Sequence, residues 1–503
     1  MNKLNISKLK IFAILIFVGM LSNSCDELFE QTAGNRITPD VHYQSVIDLE
    51  ISIIGVLVPL QEAMPKLIMM DGMLSDMMDV TQNIDVDLME IYRHDYKPLN
   101  PYLNTSGFYK VIINANEVLA NIERIPEVDP DFEEFELKSY SNLLVGMRAW
   151  AYFTLSKIYG EVAIIDDNLT SFPEDGLKYM PKAELLDTLI NELLLYIHTD
   201  DNLDEMFFPW FVNTKVLLGE IYLEKNDYAN AAYYLQLGLQ SYGNLRDMYK
   251  VDRNFQRDSW KNIFINAENN TEENIAVVPF KSTDGQVNPL TKWMLPSDEY
   301  IVKPSQTIID LFSNQMPLRG DIGDINRGLA VSYGITAGEE YFINKYSIDE
   351  GEPYSSDIVI SRAADAHLLL AEALNRLGNY ELAMVLLNDG FNAVDKIPTE
   401  FRLWSNNLGV RGRAYLQNKK IPAGITDPNQ IKLYVEDLII EERAMELAFE
   451  GKRWFDLIRI AKRRGDPSYL ANKVKAKYKD TSLGDRIAEK LKDENNWYIP
   501  LVK

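Results

Sequence analysis

Glu441-Glu442-Arg443-Ala444-Met445-Glu446-Leu447-Ala448-Phe449-Glu450-Gly451-Lys452-Arg453-Trp454-Phe455-Asp456-Leu457-Ile458-Arg459 reads as a helix, a glycine break and the start of a second helix. Ala444, Leu447 and Ala448 recur at i, i+3 and i+4 and share one face, with Glu446 and Glu450 off it. Gly451 supplies a residue that takes positive φ without a Cβ penalty and so closes the first helix.

The spelling is more specific than the periodicity. It resembles E-R-x-x-E-L-x-F-E-G-x-R-W-x-D-L, the C-terminal signature of the SusD/RagB family of surface nutrient-binding lipoproteins, with Glu442, Arg443, Glu446, Leu447, Phe449, Glu450, Gly451, Arg453, Trp454, Asp456 and Leu457 in place. The resemblance implies a protein that captures glycan or peptide and is not an enzyme. It further implies a SusC-type TonB-dependent transporter as partner, and a place on the outer face of the outer membrane.

The other end of the chain points the same way. Lys3, Lys8 and Lys10 form a positive start, Ile11 to Leu21 is apolar, and Leu21-Ser22-Asn23-Ser24 precedes Cys25, the single cysteine. This is the layout of a secretory signal, residues 1–24. The apolar run is too short for a membrane span, which needs roughly 20 residues. Cys25 resembles the lipid-attachment position of a lipobox, although Asn23 departs from the usual small residue. The expected mature chain, 25–503, is a single domain anchored through Cys25 and has no thiol left for a disulfide or a nucleophile. The formal charge of −24 becomes more negative still once the three lysines of the leader are removed. Such acidity excludes nucleic acid as the main partner, because phosphate binding needs concentrated Lys and Arg. The basic stretch from Arg459 to Lys479 reads as a solvated helix pair.

Two distant segments repeat one another at an offset of 152 residues. Leu217-Leu218-Gly219-Glu220, Asn226-Asp227-Tyr228, Ala231 and Leu235 correspond to Leu369-Leu370-Ala371-Glu372, Gly378-Asn379-Tyr380, Ala383 and Leu387. Small residues stand where two helices must approach, and Asn or Gly makes the turn between them. The spacings match the tetratricopeptide pattern. Leu155, Tyr159 and Gly160 look like half of another copy, and 441–459 like a further one. The fold expected is mainly α: tetratricopeptide-like helix pairs over about 107–240 and 356–465, with a loop-rich insertion over about 241–355. The insertion carries turn residues, a few short strands such as Ile275 to Phe280, and many aromatics.

A search for chemistry finds little catalytic pattern. His42, His94, His198 and His367 form no metal-ligand spacing, and neither a nucleophile elbow nor a phosphate loop is present. Asp321, Asp324 and Asn326 cluster as oxygen donors but lack the EF-hand order and its distal Glu, so no metal and no cofactor are expected. Aromatic platforms fit better, since Trp and Tyr pair a flat apolar face with a polar handle. The candidates in the insertion are Trp260, Trp293, Tyr300, Tyr333 and Tyr341, with Trp293 and Tyr300 foremost beside Lys292, Asp298 and Glu299. Family resemblance adds an early loop after Ser75-Asp76-Met77-Met78-Asp79, which brings in Asn83, Asp85, Tyr92 and Tyr96. Trp150 and Trp454 belong to the scaffold. Loops on a rigid scaffold are where binding function resides. An oligosaccharide is the expected cargo. A peptide cargo, a surface glycosidase built on two carboxylates, and a protein-assembly module stay open as alternatives.

Overall fold

The computed structural model describes residues 42–130, 132–165, 176–197, 209–240, 248–251, 257–265, 267–269, 272–347 and 354–501. The expected leader and Cys25 lie outside them.

Two helices that the repeat pattern did not cover open the fold. In α1 (Val46–Leu57), Ser45 caps the N-terminus by accepting from the Asp48 amide, and Leu49, Ile53 and Val56 are buried. In α2 (Leu60–Leu74), Leu67 to Leu74 are buried on every side, so this helix lies inside the core. The chain then forms β1 (Met78–Val80), α3 (Val86–Tyr92) and α4 (Ser106–Ile122). Helix α5 (Glu134–Tyr159) starts with a capping box between Glu133 and Glu136 and stops at Gly160, whose φ of 76° closes it. A ribbon of β2 (Glu161–Ile164) and β3 (Lys178–Pro181) leads into α6 (Lys182–Tyr196), which packs back on α5.

The repeated segments form two helix hairpins. Asn213 caps α7 (Thr214–Glu224) through the amides of Lys215 and Val216, and Asp227 caps α8 (Tyr228–Leu239). Asn226 takes a φ of 64° in the turn between them. A Cβ at Gly219 would stand 2.5 Å from Leu235 Cγ and 2.8 Å from its backbone nitrogen, so only glycine lets these helices meet. After β4 (Asn274–Val278), a short helix α9 (Pro289–Met294), β5 (Val302–Pro304), the hairpin β6 (Tyr333–Ile335) and β7 (Tyr341–Ile343), and β8 (Ile358–Arg362), the second hairpin follows. It pairs α10 (Ala363–Arg376) with α11 (Tyr380–Leu387) around Gly378, whose φ is 88°. Ala371 and Ala383 are fully buried there, and α10 packs on α8. The fold is therefore mainly helical, with four two-stranded sheets among the described residues. No helix among them is long and apolar enough to cross a membrane.

The signature forms the end of α12 (Pro428–Glu446) and the start of α13 (Arg453–Arg464). Helix α12 stops at Glu446, a turn earlier than its periodicity suggests, and Phe449 and Gly451 both take positive φ in the connection. Its charged residues are the larger surprise. Glu446 is 0 % exposed. It accepts from Arg327 Nη1 and Arg362 Nη1 at 2.7 Å each, and from Arg413. Glu450 accepts from Arg362 Nε at 2.9 Å and Lys345 Nζ at 2.7 Å. Arg453 grips Asp76 after α2 with two bonds of 2.8 and 2.9 Å, and the Trp454 amide donates to Asp71 at 2.7 Å. Arg443 bridges Asp365 and Asp456, and Arg459 takes Glu372. A charge leaves water only when paired, and here pairing joins α2, β8, α10, α12 and α13 into one hub.

The basic stretch departs from its solvated reading for the same reason. Arg459 and Arg463 are held by Glu372, and the buried Lys477 donates to the carbonyls of Met73 and Ser75. Its helix α14 (Pro467–Lys475) packs with the following α15 (Thr481–Leu491), with Leu470, Val474, Ile487 and Leu491 buried. His367 is a packed residue, its ring held between the Ala363 carbonyl at 2.6 Å and Asn407 at 2.8 Å.

Candidate functional site

The early loop and the aromatic insertion meet at a seam. Strand β1 pairs antiparallel with β5, with Asp79 opposite Lys303 and Val80 opposite Val302. Hydrogen bonds extend the pairing beyond the strands. Ser305 N donates to the Met77 carbonyl at 2.9 Å, Thr81 N to that of Ile301 at 3.3 Å, and Thr81 Oγ1 to that of Tyr300 at 2.5 Å. Asn83 Nδ2 donates to the Glu299 carbonyl at 3.1 Å. The seam thus fixes residues more than 200 positions apart in the chain.

Tyr300 is its pivot. Its φ of 46° lies in the left-handed region, where a side chain costs energy, and surrounding contacts hold it there. Its amide donates to the Lys292 carbonyl at 3.2 Å and its hydroxyl to the Tyr341 carbonyl at 2.6 Å. One residue therefore ties together the early loop, the end of α9 and the β6–β7 hairpin. Burial, then the charge of Glu340, pushes its phenol up to about 12, so it stays a neutral donor.

Beside Tyr300 lies a cleft of about 400 Å³ lined by Thr81, Gln82, Lys303, Glu340, Tyr341 and Lys479, among others. On the other side of the seam the half-buried Trp293 meets Tyr102 edge-on, ring centroids 5.7 Å apart. The Tyr102 hydroxyl donates to Asp85 Oδ2 at 2.6 Å, while Asp85 Oδ1 caps α3 through the Leu88 amide at 2.7 Å. Flat rings, exposed amides and carboxylates lie side by side, an arrangement suited to reversible binding of a hydroxylated ligand.

Asn83, Asp85, Trp293, Tyr300 and Tyr341 are brought together here. The remaining candidates are not. Trp260 is 1 % exposed, packed beneath Arg413 at 4.6 Å and Arg362 at 5.5 Å, so its ring faces the buried cations of the hub and offers no surface to a ligand. Tyr333 is buried between Phe312 and Tyr341. Tyr92 is buried against Tyr478, and its hydroxyl donates to Asp79 at 2.9 Å, supporting β1 from below. Tyr96 lines a different cleft of about 370 Å³ with Tyr159 and Tyr498. Asp324 and Asn326 do not converge, because Asp324 is spent on Arg327 and the Asn326 amide donates to the Ala414 carbonyl. Residue pattern alone missed Tyr102, Lys303 and Lys479, since nothing local marks a tyrosine that meets a tryptophan 191 positions later.

A model of the SusD family matches residues 238–503, more than half of the chain. The chain belongs to the SusD family. Its relatives match 70 to 90% of its length. A SusD-like protein P38 of Formosa agariphila is 23% identical over 498 residues, covering 90% of this chain and 91% of the relative. In fold, a SusD superfamily protein from Bacteroides vulgatus is similar at a TM-score of 0.67 and 18% identity, covering 91% of this chain and 96% of that one. A laminarin-binding SusD-like protein is similar at a TM-score of 0.58 and 18% identity, covering 86% of this chain and 95% of the other. The SusD match includes the signature, the second helix hairpin and the Trp293–Tyr300 side of the seam, whereas β1 and the early loop lie outside it.

Proposed function

We propose that this SusD-family chain captures an oligosaccharide at the cell surface and hands it to a SusC-type TonB-dependent transporter of the outer membrane, by reversible binding and without covalent chemistry. The observation that carries the reading is the β1–β5 seam, which sets Asn83 and Asp85 beside Trp293 and a cleft of about 400 Å³. A sugar ring has an apolar C–H face that suits the Trp293 and Tyr341 rings, and hydroxyls that suit Asn83, Gln82 and Lys303. The fold shared with a laminarin-binding protein supports a glycan as cargo. The layout of residues 1–25 supports an anchor on Cys25.

Calorimetry against neutral oligosaccharides, laminarin fragments included, and against peptides tests the site. Trp293→Ala should weaken binding by about 1–3 kcal/mol, taking base-on-ring stacking as a guide, with the melting temperature little changed. Equal affinity in wild type and variant would move the site off the seam; tight binding of peptides alone would change the cargo. Cys25→Ser should release the folded protein from the membrane fraction, because stable anchoring needs acyl chains on that residue.

A further inference from the structure

The rings of the seam sit among carboxylates. Asp85 and Asp87 flank the start of α3, Glu299 is exposed in the turn before Tyr300, and Glu340 is exposed at the start of β7. Among the described residues none of these four forms an ion pair with a lysine or arginine. Tyr102 links Asp85 to the platform, its hydroxyl 2.6 Å from Asp85 and its ring 5.7 Å from that of Trp293, while Glu340 lines the cleft beside Tyr300. Burial raises the pKa of the Tyr102 phenol, and the bond to Asp85 and the charges of Asp85, Glu299 and Asp87 raise it further. Salt screens exposed charges over about 10 Å at 0.1 M, so a ligand lying on these rings feels carboxylates that close. Lys292, Lys303 and Lys479, the cations of this face, also lack ion pairs among the described residues, and Asp79, Asp85, Asp87, Glu299, Glu339 and Glu340 outnumber them.

We propose that the seam selects by charge, accepting uncharged or amino-bearing oligosaccharides and turning away glycans that carry carboxylate or sulfate groups. This rests on the seam being the ligand site. An anionic ligand would bring its charge against carboxylates that outnumber the lysines of this face and that none of them pairs directly, whereas a neutral sugar can use the same oxygens as hydrogen-bond acceptors.

Two measurements on the full chain test it. The first needs no ligand: quenching of the Trp293 fluorescence component, taken as wild type minus Trp293→Phe and normalised to free indole. At constant low ionic strength, caesium should quench it about three-fold more efficiently than iodide, and the ratio should fall toward one in Glu299→Gln/Asp87→Asn. Equal quenching by iodide and caesium in the wild type overturns the proposal. The second compares laminari-oligosaccharides with the same oligosaccharides oxidised at C6 to carboxylates. The neutral form should bind about ten-fold tighter at low salt, the gap closing with added salt and in the double variant. Equal or tighter binding of the oxidised form overturns charge selection while leaving the site in place. Neutral binding that is indifferent to Trp293→Ala overturns the site itself, and with it the proposal.

Discussion

Glu446 and Glu299 are the same residue type in opposite settings. Glu446, in the hub, is fully buried and shared by three arginines. Glu299, on the seam, is exposed, and only its backbone is engaged, its carbonyl by Asn83 and its amide by the Lys292 carbonyl. In the hub a charge has exchanged water for fixed partners and can do nothing else. On the seam the side chain keeps its water and stays available to a ligand. Charge in the hub organises the fold, and charge on the seam is free to discriminate.

The most severe way to break this contrast is to remove a hub partner. Glu446→Ala should destabilise the protein by about 3–5 kcal/mol in denaturant melts, because it takes away the carboxylate that the buried Arg327, Arg362 and Arg413 share and leaves Asp324, Glu442, Glu273 and Glu450 to carry their charge. A loss below 1 kcal/mol would mean that the hub is as hydrated as the seam.

Gly219→Leu comes next, with an expected loss of about 1–3 kcal/mol, since its Cβ meets the backbone nitrogen of Leu235. An unchanged melt would put the α7–α8 hairpin out of register.

Acidification sharpens the comparison without a substitution. Burial raises the Glu446 pKa, but Arg413, Arg362 and Arg327 outweigh it and leave the carboxyl lowered from 4.5 to about 2. A carboxyl with a depressed folded pKa contributes stability that is present above its unfolded value and lost as pH falls through its folded one. Stability should therefore decline between pH 4.5 and about 2. Glu446→Gln should start less stable and decline less steeply over that window, as read by denaturant melts at stepped pH. Equal slopes would show that Glu446 is not linked to acid unfolding.

On the seam, Thr81→Val removes the donor to the Tyr300 carbonyl and the acceptor of the Asn83 amide, and should cost about 1–2 kcal/mol by loss of two hydrogen bonds. It should also loosen the early loop, read as faster amide exchange at Thr81 and Ser305. The smallest effect belongs to Glu299→Gln, within about 0.5 kcal/mol in stability, as for exposed positions without partners. A larger loss would make Glu299 a structural residue and erase its contrast with Glu446.

Much of this was legible beforehand. The repeat spelling located both hairpins, because Gly219, Asn226 and Gly378 are required by close approach and positive φ, and such local demands leave a mark in residue type. The apolar run Ile275 to Phe280 announced β4, and Trp293 and Tyr300 were legible as aromatics in a polar, turn-rich stretch. Trp260 looked the same from its residue type and proved to be core, because an aromatic ring serves a buried guanidinium as well as it serves a sugar. Glu446 and Glu450 fell off the apolar face, and Arg459 opened a stretch that read as solvated. Their partners, Arg327, Arg362 and Glu372, come from elements far away in the chain, and periodicity registers polarity without registering pairing.

By itself the sequence determined the family signature, the mainly helical class and the hairpin turns, since these follow from side-chain size, φ preference and spacing within a few residues. Only the tertiary structure decided which charges are buried and which aromatics share a face. Those outcomes depend on contacts such as Arg453 with Asp76, and Thr81 with Tyr300, that span hundreds of residues. A glutamate's burial is set by whether a cation arrives to replace its water, and that arrival is a property of the folded chain.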